Sequence, residues 1–210
     1  ARDDTLAGVA PLLMRSDGET VDTIGQVLSP WMLEVSDRGY GEPLTQGLQQ
    51  NTDLLAACGA LAVFPRKALA SVADEPGPWA QHYFCFWEDL ELGWRLVNAG
   101  WRIQSCADAV ATHRRGAGAA SGSGPLRWRR PPELEACILT NRWMTLIRQL
   151  HPLDLVRHLP LLLLWDPGLV VAGARRRPSL AGHSRRRWPL VRHEWRSRSR
   201  DRRRRLHELP

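Results

Sequence analysis

The sequence predicts an α/β protein that runs into a helical segment and ends in a basic tail. Three observations carry this. Short strand-like runs flank a strongly amphipathic helical pattern over residues 88–99. A second helical pattern spans 133–150, with Leu134, Ile138, Trp143, Leu146 and Leu150 as its apolar positions. The charge is segregated: of the 210 residues, 175–210 hold 14 Arg against Glu194, Asp201 and Glu208, a net +11, whereas 1–174 are net −4. The overall +7 and the isoelectric point near 10.2 are therefore properties of the tail, and the body needs no polyanionic partner. With 43% hydrophobic and 24% charged residues, disorder throughout is excluded.

Taken in order, residues 9–14 read as a strand, Ser16, Asp17 and Gly18 as a turn, and 21–24 as a second strand. Residues 25–51, spaced by Gly39, Gly41, Pro43 and Gly47, read as one long loop, and loops of that length are often functional. The apolar run 54–64 holds Gly59, stops at Pro65 and predicts a buried strand. Pro65 suits the first turn of a short helix over 66–72, and a Gly/Pro loop follows at 76–78.

Tyr83, Phe84, Phe86 and Trp87 then lead into Glu88, Asp89, Leu90 and Glu91. A helix beginning there gathers carboxylates in its first turn, where the backbone dipole favours negative charge. Leu92, Leu96 and Ala99 share its apolar face, widened by Leu90, Trp94 and Val97, and Gly100 stands where a left-handed cap ends a helix.

Residues 101–105 and 109–112 predict two short strands, the second ending at His113. Residues 116–124, almost purely Gly, Ala and Ser, predict a mobile loop, either a lid or a plain linker. The apolar stretch 159–174 is broken by Pro160, Asp166 and Pro167 and is shorter than the roughly 20 residues of a spanning helix, so it is not expected to cross a membrane. Cys58, Cys85, Cys106 and Cys137 form no Cys-x-x-Cys pair and read as free thiols in a reducing compartment. The chain opens at Ala1 without Met or a signal-peptide pattern and reads as a piece of something longer.

The chemistry concentrates where aromatic residues run into Glu88 and Asp89, followed by Trp94, Arg95, Gly100 and Trp101 and closed by His113. Paired acids at a helix start serve for capping alone in many proteins. Here the strand order is expected to bring the helix start and the end of the later strand to one edge of a sheet, where open α/β folds bind ligands.

On these residues the sequence resembles the family-2 glycosyltransferases, in their bacterial rhamnosyl- and galactofuranosyl-transferase-like branch. The resemblance rests on Cys58, Gly59 and Ala60 with the apolar run to Phe64 and then Arg66, on the run from Phe86 to Arg95, on Ala99, Gly100 and Trp101, on residues 107–113, and on Asn141 and Arg142. Asp22, Thr23, Ile24 and Gly25 and the loop 38–42 belong to it as well.

The resemblance implies the C-terminal half of a GT-A type nucleotide-diphospho-sugar transferase, a mixed sheet with flanking helices. Residues 1–115 would be the acceptor-side half, 116–125 a flexible loop, 126–174 a partly apolar helical segment, and 175–210 the Arg-rich tail. It implies Asp89 as general base for an acceptor hydroxyl and Glu88 as a group orienting acceptor or base. Trp87, Gly59, Ala60 and Arg95 would be substrate-binding, with Trp87 facing the acceptor and Trp94 packing.

His113 would complete the coordination of a divalent metal, Mn²⁺ or Mg²⁺, on the nucleotide diphosphate. Outside the resemblance, His113 reads as a surface histidine, the tryptophans as core, and Gly59 as a bulge. Arg114 and Arg115 either reach phosphate oxygens or are solvated.

Implied partners are a nucleotide-sugar donor and a saccharide or lipid-linked acceptor, in cell-wall or surface polysaccharide synthesis. The implied location is cytoplasmic and peripheral at the inner face of the plasma membrane. The apolar-then-basic ending reads either as a peripheral anchor on anionic lipid or as a packed helix with a solvated, partly disordered tail. Nucleic acid is not expected as a partner. The alternatives are a basic-tailed nucleic-acid-binding module and a non-catalytic remnant.

The family's Asp-x-Asp metal motif is not in this sequence, and Asp3 and Asp4 do not replace it. The purified 210-residue chain is therefore expected to be inactive alone, and sugar transfer by it would overturn that expectation.

Overall fold

In the computed structural model, residues 3–73, 77–115 and 130–207 are described. The fold is mixed α/β, built as two units, the first comprising 1–80 with 88–116 and the second 81–87 with 117–210.

The first unit is organised by a four-stranded mixed sheet. Strand β1 (Leu6–Met14) lies at its centre and pairs antiparallel with β2 (Val21–Thr23). After β2, β3 (Gln26–Leu28) and β4 (Val35–Asp37) follow in the chain as a separate antiparallel ribbon, then a single turn of helix, α1 (Gln46–Gln49), and the two-residue strand β5 (Asp53–Leu54). Helices α2 (Arg66–Val72) and α3 (Glu88–Asn98) precede β6 (Arg102–Thr112), which returns parallel to β1. The sheet order is β2-β1-β6-β5.

One core cluster contains Ala7, Ala10, Leu54, Val72, Leu92, Leu96 and Ile103, and a second contains Leu12, Val21, Ile24, Leu48 and Ala107. The small residues of β1 and of 56–57 let helix side chains reach the sheet.

Several expectations change. The long loop 25–51 contains the β3–β4 ribbon and α1. The apolar run 54–64 is not one strand: pairing stops after Leu54, single bridges join Ala56 to Gln26 and Val63 to Val9, and a turn over 58–61 closes with Leu61 N–H on Cys58 C=O at 3.2 Å. Apolar composition marked the burial, while Gly59 and the small residues around it favour the turn. The two strands expected over 101–112 are one strand, β6, whose pairing with β1 shifts register between Pro11 and Leu12.

Helix α3 begins at Glu88 as expected, with Leu90, Leu92 and Leu96 fully buried and Gly100 at φ +91°. Ala99 is exposed instead of sharing that face. The 116–124 loop lies outside the described residues, as does Pro76 of the Gly/Pro loop.

Gly93 sets how closely α3 approaches the rest of the unit. A Cβ there would sit 2.4 Å from Ala56 Cβ, 2.7 Å from Ala56 Cα and 2.8 Å from the Leu55 carbonyl oxygen. Two of those three atoms are backbone, so no rotamer change relieves the clash.

The second unit consists of α4 (Pro132–Gln149), α5 (Pro152–Arg176) and α6 (Ser179–His207), with the segment 81–87 strapped to them. The Asn141 amide lies 2.7–2.9 Å from the carbonyls of Tyr83, Cys85 and Phe86. Arg187 donates to Asn141 Oδ1 at 2.7 Å and to Thr140 Oγ1 at 2.9 Å.

The Arg-rich tail, for which one of the two readings was partial disorder, is helical over Ser179–His207. Leu180, Val191, Glu194 and Ser197 form a buried stripe at helical spacing, and arginine is a good helix former. Helix α5 continues through Pro160 and Pro167, where the sequence predicted a break. By length and composition Pro152–Arg175 suffices to cross a membrane, which revises the reading of this stretch as too short.

Substituting Gly93 with Ala is expected to destabilise the chain by about 3 kcal/mol, at the upper end of overpacking costs. Gly59→Ala, whose added Cβ would be 3.4 Å from the Asp89 side chain, is expected to change stability by less than about 0.5 kcal/mol. Thermal or urea denaturation followed by circular dichroism checks both.

Candidate functional site

The site is assembled by backbone pairing. In the β3–β4 ribbon Gln26 is the register partner of Asp37, and on its other side Gln26 bridges to Ala56. Since Gly93 seats α3 against Ala56, the first turn of α3 arrives beside Gln26. The Asp89 carboxylate is then gripped from three directions. Oδ2 accepts from Gln26 Nε2 at 2.8 Å and from the Gly59 N–H at 2.9 Å, and Oδ1 accepts from the Leu90 N–H at 2.8 Å.

Burial raises the Asp89 pKa above the ordinary carboxylate range; the Gly59, Leu90 and Gln26 hydrogen bonds counteract this, while the Asp37 charge adds to it. Glu88 is raised as well, by burial and then by the charge of Asp89.

Three acceptor oxygens around Asp89 are buried without a hydrogen-bond donor among the described residues: Gln26 Oε1, Asp37 Oδ1 and Glu88 Oε2. Each such atom costs roughly 1–3 kcal/mol if left dry. All three are acceptors, and the surplus of acid disfavours an anion beside Asp89.

Cys58 borders the same carboxylates, and its thiol is pushed up to about 12 by burial, with the Asp37 and Asp89 charges adding to the shift and the Ala60 N–H opposing it. It stays protonated at neutral pH and is not a thiolate nucleophile.

From Asp37 a run of ion pairs leads to His113. Arg115 donates through Nη2 to Asp37 and through Nε to Asp22, each at 2.5 Å, and its guanidinium lies 4.4 Å from the centre of the Tyr40 ring. Burial works against the Arg115 charge, but the Asp22 and Asp37 bonds more than compensate and raise its pKa. Asp22 is 1% exposed at its side chain, and its second oxygen lies 2.8 Å from His113 Nδ1. Because an ionised carboxylate only accepts, in a neutral His113 this pairing puts the proton on Nδ1 and leaves the Nε2 lone pair to act as a ligand, the usual carboxylate–histidine arrangement of metal sites.

Of the residues singled out from sequence, the structure brings together Asp89, Glu88 and Gly59, with Ala60 in the adjoining turn, and links them to His113 through Asp37, Arg115 and Asp22. Arg95 does not join them. It is 4% exposed and donates to the carbonyls of Val72 and Pro78, both at 2.6 Å, and to Glu91 at 2.9 Å, so it staples the unit internally instead of binding substrate. Trp87 belongs to the other unit and is 6% exposed, not an open platform. Its φ of +71°, with Phe86 at +65°, places strained backbone directly before the two acids.

Gln26 and Asp37 were not singled out from sequence, because their partners lie 63 and 78 residues away. No protein-family model and no curated protein matches this chain.

Asp89 and Glu88 hold their protons to higher pH in the folded chain than in the unfolded one. Their contribution to stability is thus greatest when protonated and falls as pH rises from the ordinary range near 4 through the raised values. A carbon-13 carboxyl titration should place both residues above roughly 4. Gln26→Leu, which removes a donor that favours the charged form, should move Asp89 higher still. Titration of Asp89 at or below the ordinary range would contradict this geometry.

Proposed function

We propose that the chain carries the acceptor-side half of a GT-A type, family-2 glycosyltransferase catalytic domain, acting in polysaccharide synthesis by inverting transfer of a sugar from a nucleotide-sugar donor. The observation that supports this most is the half-buried Asp89 carboxylate, held by Gln26 and Gly59, with the unsatisfied acceptors Gln26 Oε1, Asp37 Oδ1 and Glu88 Oε2 on neighbouring residues. An acceptor saccharide satisfies them through its hydroxyl groups while one hydroxyl faces Asp89.

In the reaction this reading entails, the acceptor oxygen attacks the anomeric carbon as its proton passes to Asp89. The new C–O bond forms while the bond to the diphosphate breaks and the nucleotide diphosphate leaves with the electron pair. A raised pKa suits Asp89 to this role, since a more basic carboxylate is a better proton acceptor. Glu88 orients the acceptor or the base. In this reading Gly59 and Ala60 give the sugar close access to backbone at the exposed turn.

A divalent ion on the diphosphate fits His113 as one ligand, through the nitrogen that Asp22 leaves free; such an ion supplies charge neutralisation for the leaving diphosphate. Arg115 holds Asp22 and Asp37 in place instead of reaching for phosphate.

The acceptor is a saccharide or a lipid-linked saccharide, and the protein works at the cytoplasmic face of the plasma membrane. Exposed apolar residues of α5, among them Leu153, Val156 and Leu164, favour a membrane surface over nucleic acid as the neighbour of the basic region. Several arginines there are committed internally, as Arg187 is to Asn141 and Arg198 to the Ile147 carbonyl at 2.6 Å.

In the full-length enzyme, Asp89→Asn is expected to lower turnover by roughly 10²–10⁴-fold, the usual worth of a general base, with donor binding unchanged. Near-wild-type turnover in a steady-state transfer assay would remove Asp89 from the role.

A further inference from the structure

The helical unit holds a second cluster of ligand-type side chains, separate from the carboxylate site. His82 lies in the single 3₁₀ turn Gln81–Tyr83, and His193 and Glu194 are successive residues of α6. One donor atom from each, an imidazole nitrogen from both histidines and a carboxylate oxygen from Glu194, lies within 4.8 Å of the others. His193 Nδ1 is 3.4 Å from Glu194 Oε1, close to the roughly 3.3 Å that separates neighbouring ligands around a tetrahedral ion with 2.0–2.1 Å bonds.

His82 Nε2 contacts the same carboxylate oxygen, so both imidazoles converge on Glu194 Oε1.

The surroundings match what a metal site requires. The Glu194 side chain is fully buried, and its other oxygen, Oε2, is held by Arg148 Nη1 at 3.3 Å. That is the place of an outer-shell partner that fixes a ligating carboxylate. The His82 and His193 rings meet edge to face with centroids 5.1 Å apart. His193 is half exposed, which leaves an approach from solvent.

We propose that His82, His193 and Glu194 form a zinc site with three protein ligands and a fourth position open to water. Two imidazoles and one carboxylate suit Zn²⁺ and not Ca²⁺ or Mg²⁺, which prefer all-oxygen shells. The ion clips the turn Gln81–Tyr83 onto α6, reinforcing the strap that Asn141 and Arg187 already make on this segment. The site does not depend on the sugar-transfer reading.

The test uses the whole 210-residue chain, stripped with a chelator and titrated with Zn²⁺ alone by calorimetry. A parallel Co²⁺ titration is read by visible absorption. One ion per chain is expected, with a raised Tm and a tetrahedral Co²⁺ spectrum free of thiolate charge-transfer bands. His193→Ala and His82→Gln should each weaken binding by more than the roughly 10–100-fold that loss of an outer-shell partner costs. His193→Ala decides the matter, because it leaves the buried Glu194–Arg148 pair intact and the fold undisturbed. Absence of Zn²⁺ uptake, affinity unchanged in the His193→Ala chain, or thiolate bands in the Co²⁺ spectrum would each overturn the proposal.

Discussion

The contact on which the first unit depends is the seating of α3 against Ala56 through Gly93. With no side chain at Gly93, the helix axis comes close enough for backbone of residues 55 and 56 to touch it. Ala56 is at the same time the bridge partner of Gln26, and Gln26 is the register partner of Asp37. One close approach therefore fixes the helix start, the ribbon and the turn at Gly59 relative to one another. The Asp89 carboxylate lies where the three meet, and its hydrogen bonds to Gln26 and Gly59 are consequences of that packing.

This arrangement concentrates negative charge where it is poorly solvated. Of the acids Asp22, Asp37, Glu88 and Asp89, the first two are paired with the Arg115 guanidinium. Glu88 and Asp89 are left to carry the cost of burial as raised pKa values. Unsatisfied acceptors and perturbed carboxyls together are a common signature of a functional cleft, because a fold selected for stability alone would have paired or removed them. The left-handed backbone at Phe86 and Trp87 adds strain at the same point in the chain.

Much of the framework was legible in the sequence where a single element carries its own signal. The start of α3 at Glu88 followed from carboxylates preceding an apolar periodicity, and its end from Gly100. Glu88 and Asp89 were singled out because an aromatic run leads into them within a longer motif, and the structure places both in the first turn of α3. Legibility failed where the deciding interaction is long-range. Nothing local distinguishes Gln26 or Asp37 from loop residues, since their ribbon exists only by pairing across the chain. The run 54–64 is apolar because it is buried, and burial does not require a strand. Arg95 resembled a ligand-binding residue in its motif, but its guanidinium satisfies carbonyls at the end of α2 and in the loop after it. The Arg-rich tail concealed a helix because its buried stripe consists of few apolar residues and includes the charged Glu194.

The central claim is that the space around Asp89 binds hydroxyl groups of a neutral saccharide. Its most direct test is a nitrogen-15 amide map of the chain titrated with a panel of neutral mono- and disaccharides. The account predicts shifts centred on the amides of Gly59 and Leu90 and on the Gln26 side-chain amide, the three donors that hold the Asp89 carboxylate. Shifts confined to other residues, or none across the panel, would contradict it.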